Sequence, residues 1–169
     1  MTNRRSRLVL SAAALGLPVV MGLALAGGPS TAGAAGSTLR FFSKNTSQTI
    51  TDASGTPLPA SATPAAGDVL ESSDLDYVGT HSHHAKSWTA SDHLVCSLTD
   101  ATGDATCFGE FAVGGSLIYA DGVSTNLFGT GTSVPLSGGT GAYQSVTGGS
   151  VVSKEVGKSN NSDVTITLQ

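Results

Sequence analysis

The sequence predicts an all-β protein, and within that class an eight-stranded antiparallel β-barrel. Three observations lead there. After the first 35 residues no segment carries apolar residues at helical spacing. Short runs alternate apolar and polar residues instead, with Gly, Asp and Asn between them. These runs number about eight, the count at which a closed barrel is just filled or holds one small ligand. Closure also removes the exposed edges of an antiparallel sheet. A two-sheet sandwich satisfies the same periodicity, so alternation alone does not separate the two.

Residues 1–35 read as a signal peptide. Arg4, Arg5 and Arg7 precede an uncharged, largely apolar run from Leu8 to Gly27, and Ala32-Gly33-Ala34 offers the small residues of a cleavage site. The run approaches the ~20 residues of a membrane-anchoring helix. Gly16, Pro18, Gly22 and Gly27-Gly28-Pro29 weaken that alternative. Arg4-Arg5 suits a twin-arginine exporter as well as an ordinary n-region. Cleavage leaves five of the eight bases against all 12 acids, a formal net charge of −7. Nucleic acid and anionic membrane surfaces are therefore not expected as partners of the mature, secreted chain.

The elements follow in order. Leu39 to Lys44 is a first strand. Asn45 to Gly67, with Pro57, Pro59 and Pro64, reads as a long connection or flexible arm. Residues 36–66 thus form an N-terminal strand and connection, and residues 67–169 the barrel body. Val69 to Val78 is a second strand, with Leu75 and Tyr77 on the face opposite Asp74 and Asp76. Gly79 to Ala90 is a polar loop or a short strand pair, with Trp88 placed to cap one barrel end.

His93 to Thr99 and Ala105 to Val113 form a hairpin. Cys96 and Cys107 are the only two cysteines. In an exported chain an even count argues for a disulfide. If Asp100 to Gly103 turn the chain, the two face each other about 4.5 Å apart at Cα, within disulfide reach. Two unpaired core thiols are the alternative. Ser116 to Asp121, Leu127 to Leu136, Tyr143 to Val152 and Asp163 to Gln169 complete the strands, with Ser137 to Gly141 as a turn.

Leu70 to Tyr77 carries an Asp, and His93 to Leu98 carries a Cys. Cys107 to Val113 begins with the second Cys, and Gly115 to Asp121 is glycine-led. Gly138-Gly139-Thr140-Gly141-Ala142-Tyr143 is a turn with an aromatic residue, and Val164 to Leu168 closes the chain. In this order and spacing residues 67–169 resemble bacterial members of the allene oxide cyclase and dirigent protein superfamily. The resemblance implies a calycin- or lipocalin-like barrel with a pocket at one end and no cofactor. Known members isomerise a fatty-acid epoxide or steer the coupling of phenolic radicals. The chain departs from the plant enzymes in its 5% aromatic content and its single mature arginine, Arg40. One position carries over: Asp74 stands where the cyclases place a polar residue at the cavity floor.

Asp74 is thus the candidate catalytic group. Buried in a barrel, its pKa would rise and it would serve as a general acid or base; facing water, it would merely aid solubility. Tyr77, Tyr119 and Tyr143 are candidate ligand-binding residues, each offering a ring and a hydroxyl. Glu110, on the face opposite Cys107, is a fourth. His81, His83 and His84, with His93 or Asp92, have metal-like chemistry but match no tight-site spacing, and no metal is assigned. Gly138-Gly139-Thr140-Gly141 lacks the third dinucleotide glycine and the P-loop lysine, so it reads as a turn.

Two function classes remain. One is a secreted barrel that binds a small hydrophobic molecule, as a cofactor-free isomerase or cyclase or a stereo-directing protein. The other is a non-catalytic extracellular or cell-surface protein. The first expects a cavity of at least ~300 Å³; the second expects a barrel packed solid.

Overall fold

The structure is a computed structural model that describes residues 36–129, 131–157 and 159–169. The signal-peptide reading falls outside the described residues. Among the described residues nine strands form: β1 Thr38–Thr51, β2 Val69–Thr80, β3 His83–His84, β4 Ala90–Leu98, β5 Ala105–Val113, β6 Ser116–Ser124, β7 Thr132–Gly139, β8 Gly149–Val156 and β9 Asn161–Leu168.

The hydrogen-bonded order is β1-β9-β8-β7-β6-β5-β4-β2, every pair antiparallel, and β1 pairs back onto β2. Eight strands therefore close into a cylinder, which excludes the sandwich. The ninth, β3, is a two-residue hairpin return on the end of β2. Gly79 makes that return possible: its φ is +118°, and a Cβ there would fall 2.2 Å from the His83 carbonyl oxygen.

The β4–β5 hairpin turns as its sequence suggests. The Asp100 carboxylate accepts backbone N–H bonds from Thr102, Gly103 and Asp104 at 2.8, 3.0 and 3.1 Å. That turn sets the register in which Cys96 faces Cys107, and the two form a disulfide on the interior face with Cα atoms 4.0 Å apart. In the chain-entropy model such a short loop contributes ~3 kcal/mol.

Several boundaries differ from expectation. Residues 45–51 are not connection but the second half of β1. A bulge at Thr46 passes the chain from the Asn45–Asp74 rung to the Ser47–Ser73 rung, and the Thr46 hydroxyl donates to the Ser73 carbonyl at 2.7 Å. One extra residue inverts the alternation, so Ser43 faces inward before the bulge and Ile50 after it. Leu127 to Gly129 is loop, and β7 begins at Thr132. Tyr143 lies in a short 3₁₀ turn, Gly141–Tyr143, and β8 begins at Gly149. Trp88 does not cap a barrel end but stands 56% exposed.

The two ends of the cylinder differ. One is filled by Phe41, Ile118, Leu136, Tyr143, Val146, Ile166 and Leu168, all buried. Ile118, Ile166 and Leu168 are fully enclosed, and each such side chain contributes ~1.5–3 kcal/mol by leaving water. Towards the other end the inward side chains become small or polar, among them Ser72, Ala120, Ser153 and Ser162, and the cylinder is hollow.

Candidate functional site

The hollow is a cavity of about 670 Å³. Its wall is built by strand alternation: Leu70, Ser72 and Asp74 from β2, Asp92 and Leu94 from β4, Phe111 from β5, Ala120 from β6, Val134 from β7, Val151 from β8, Val164 from β9. Room is made partly by what is missing. Gly109 faces inward between Cys107 and Phe111, and a Cβ there would press to 3.2 Å on the Leu94 methyl. On the open side, Leu58 to Pro64 of the β1–β2 connection, with Leu127, Phe128, Gly129 and Gly131, close over the mouth. The connection is therefore an ordered cover. Asp52 accepts backbone N–H bonds from Ser54 and Thr56 at 2.8 and 2.9 Å, and Asp68 accepts one from Ala65 at 2.8 Å.

The cavity floor is acidic. Asp74 and Asp92 are register partners on β2 and β4, and both line the cavity. Asp76 follows on the same face of β2, one step deeper, and is fully buried. Its carboxylate accepts a hydrogen bond from the Ser43 hydroxyl across the β1–β2 rung. The amide of Asn45 donates to Asp74 at 2.7 Å and to Ser72 at 3.0 Å. Asn45 is thus held at the bulge with its amide directed at the floor.

All three carboxyl groups are pushed above the usual range. For Asp74 the cause is burial, partly offset by hydrogen bonds from Asn45 and within the group. For Asp76 it is again burial, moderated by Ser43 and reinforced by the Asp74 charge, and the pKa rises to about 6. Asp92 lies well above the ordinary value, through burial and then through the Asp76 and Asp74 charges. Its hydrogen bonds to both neighbours also favour the protonated form. Among the described residues the second Asp76 oxygen finds no donor. The site therefore sets two carboxyl groups of raised pKa, Asp92 and Asp74, side by side at the bottom of a mostly apolar cavity.

This placement inverts the faces of β2 that solubility suggests. The aspartates point in, while Tyr77 lies on the outer side of the barrel. Its ring sits 6.2 Å from Phe42, which the His84 and His81 rings also cover at 4.7 and 5.2 Å. The other candidate ligand-binding residues also lie away from the cavity. Glu110 and Tyr119 alternate outward with Phe108, which stacks on Tyr119 at 6.4 Å. Tyr143 is buried in the filled end, where burial raises its pKa. For Glu110 and Tyr119 the physical reason is parity: Cys107, Phe111, Ile118 and Ala120 face inward, so the residues alternating with them cannot.

The histidines separate as well. His81 and His84 rest on Phe42, whereas His93 lies on the outer face of β4 beside Ser73, at 3.0 Å, and Glu71, at 3.5 Å. The sequence suggests Asp92 only as a companion to the histidines; the structure makes it the partner of Asp74. Its signal in sequence is its position two residues from Leu94 and four from Cys96, on the disulfide's own face.

No family model matches the chain, and no curated protein matches it. Among solved structures, a pyocyanin demethylase is similar to it, with a TM-score of 0.62 and 19% identity over 79% of this chain and 100% of that one. The likeness establishes a shared barrel fold.

Proposed function

We propose that this protein is an exported barrel that holds one small, mostly apolar molecule in its cavity and presents the Asp74–Asp92 pair to a polar atom of that molecule. The observation that carries this reading is a 670 Å³ hollow whose floor bears the two carboxyl groups. A barrel serving only as a surface module has no need of either. The disulfide is consistent with export.

The chemistry of the pair supports processing rather than storage. Asp92 donates a proton or hydrogen bond to a carbonyl, ether or epoxide oxygen, and Asp74 accepts a proton elsewhere on the same molecule. The apolar wall and the cover exclude water and hold the ligand in one conformation. These are the requirements of a cofactor-free isomerase or cyclase, or of a protein that directs stereochemistry. The resemblance to the allene oxide cyclase and dirigent superfamily favours that class. The likeness to a demethylase of pyocyanin supports a small organic substrate more generally.

The test is binding of a neutral fluorescent probe, N-phenyl-1-naphthylamine, to the mature protein, with native mass spectrometry for co-purified ligands. Ser153→Trp and Ala120→Phe each fill the cavity from a different strand. Saturable probe binding, lost in both variants while their near-ultraviolet circular dichroism is retained, is expected. Absence of binding to the wild type, or binding unaltered in two folded variants, would overturn the reading.

A further inference from the structure

The proposed ligand's charge is written in the floor of the cavity. Asp74 and Asp92 line it, Asp76 lies buried one step beyond them on β2, and the exposed Glu155 lines the cavity as well. Among the described residues no Lys, Arg or His lines the cavity. The groups facing the three aspartates from neighbouring strands are neutral: Ser43 and Asn45 from β1, Phe111 from β5. Buried charge is retained only when paired. The described residues supply no cation there, and among them one fully buried Asp76 oxygen has no donor.

Resting on the small-molecule reading above, we infer that the cavity selects a ligand bearing a protonated nitrogen, an amine or basic heteroaromatic ring, whose N–H reaches the Asp74–Asp92 pair. A bare proton and an organic cation solve the same electrostatic problem. When the cation enters, the pair no longer needs its extra proton, which leaves to solvent. An apolar body with one cationic head also matches the rest of the site, since Leu70, Leu94, Phe111, Val134, Val151 and Val164 line the wall around the two carboxyls. A fatty-acid carboxylate, the type of substrate that the superfamily resemblance implies, finds no counter-ion at that depth and meets like charge instead.

The experiment uses three probes of one shape on the whole mature protein: 1-naphthylmethylamine, 1-naphthalenemethanol and 1-naphthoate, followed by naphthalene fluorescence and by calorimetry. The amine is expected to bind at least about tenfold more tightly than the alcohol at pH 7.5, and the naphthoate most weakly. The amine's advantage shrinks towards pH 5, where the carboxyls take up protons although the amine stays charged. Calorimetry in phosphate and in Tris reports net proton release for the amine alone. In Asp92→Asn and Asp74→Asn the amine-to-alcohol ratio falls towards one, a change that loss of packing would not produce. Alcohol binding with an amine no tighter, or naphthoate binding best, refutes the inference and leaves the cavity reading standing. Failure of all three probes refutes both.

Discussion

Replacing Asp76 with asparagine tests the buried acid directly. Asp76 is fully enclosed, and its pKa is raised from 3.8 to about 6, chiefly by burial. A carboxyl whose folded-state pKa is raised binds its proton more tightly in the native state. Its contribution to stability is full below pH 3.8 and is lost as pH rises through about 6. The shift corresponds to roughly 3 kcal/mol. Asparagine is neutral throughout, its oxygen accepts the Ser43 hydroxyl, and its amide can donate to Asp92. Asp76→Asn should therefore match the wild type near pH 4 and exceed it by roughly 3 kcal/mol at pH 7.5. For a domain of this size that is a rise in Tm of about 10 °C. Urea unfolding at constant m, repeated between pH 4 and 7.5, measures the difference. Asp52 and Asp100, whose pKa values are lowered by turn hydrogen bonds, act oppositely but equally in both proteins. Parallel curves across this range, or a variant that grows weaker towards pH 7.5, would refute the claim that burial dominates at Asp76.

Other outcomes separate the scaffold from the site. Reducing Cys96–Cys107, or changing both residues to serine, should cost about 3 kcal/mol by urea unfolding, since the crosslink shortens the freedom of the unfolded chain. Ile118→Ala, in the filled end, should lose about 2–5 kcal/mol of stability while leaving probe affinity unchanged in the folded fraction. Tyr77→Ala, Glu110→Ala and Tyr119→Ala, all outside the cavity, should change probe affinity by less than about twofold. A larger effect would place one of them in contact with the ligand.

The alternating runs, the Asp100 turn and the opposed cysteines were legible because each depends on residues close in sequence. The wall and floor of the cavity were only half legible. Asp74 came from a resemblance, not from the pattern of β2, where Asp74 and Asp76 look like a solvent face and Leu75 and Tyr77 like a core face. Local chemistry marks two faces but carries no sign. Closure of β1 onto β2 assigns that sign, because it fixes which face encloses the hollow. Asp92 is hidden for the same reason: its partner is 18 residues away along the chain and adjacent only in the β2–β4 register.

The sequence by itself thus determined an all-β chain with one disulfide-bonded hairpin, and the approximate position of each strand. The tertiary structure alone decided that three aspartates lie inside and the candidate tyrosines do not line the cavity. It also decided that one end is packed and the other hollow. The Thr46 bulge shows why in a single residue. Nothing in the composition of Asn45-Thr46-Ser47 announces an inserted position, yet it reverses every side chain that follows in β1 and brings Ile50, not Thr49, onto the core.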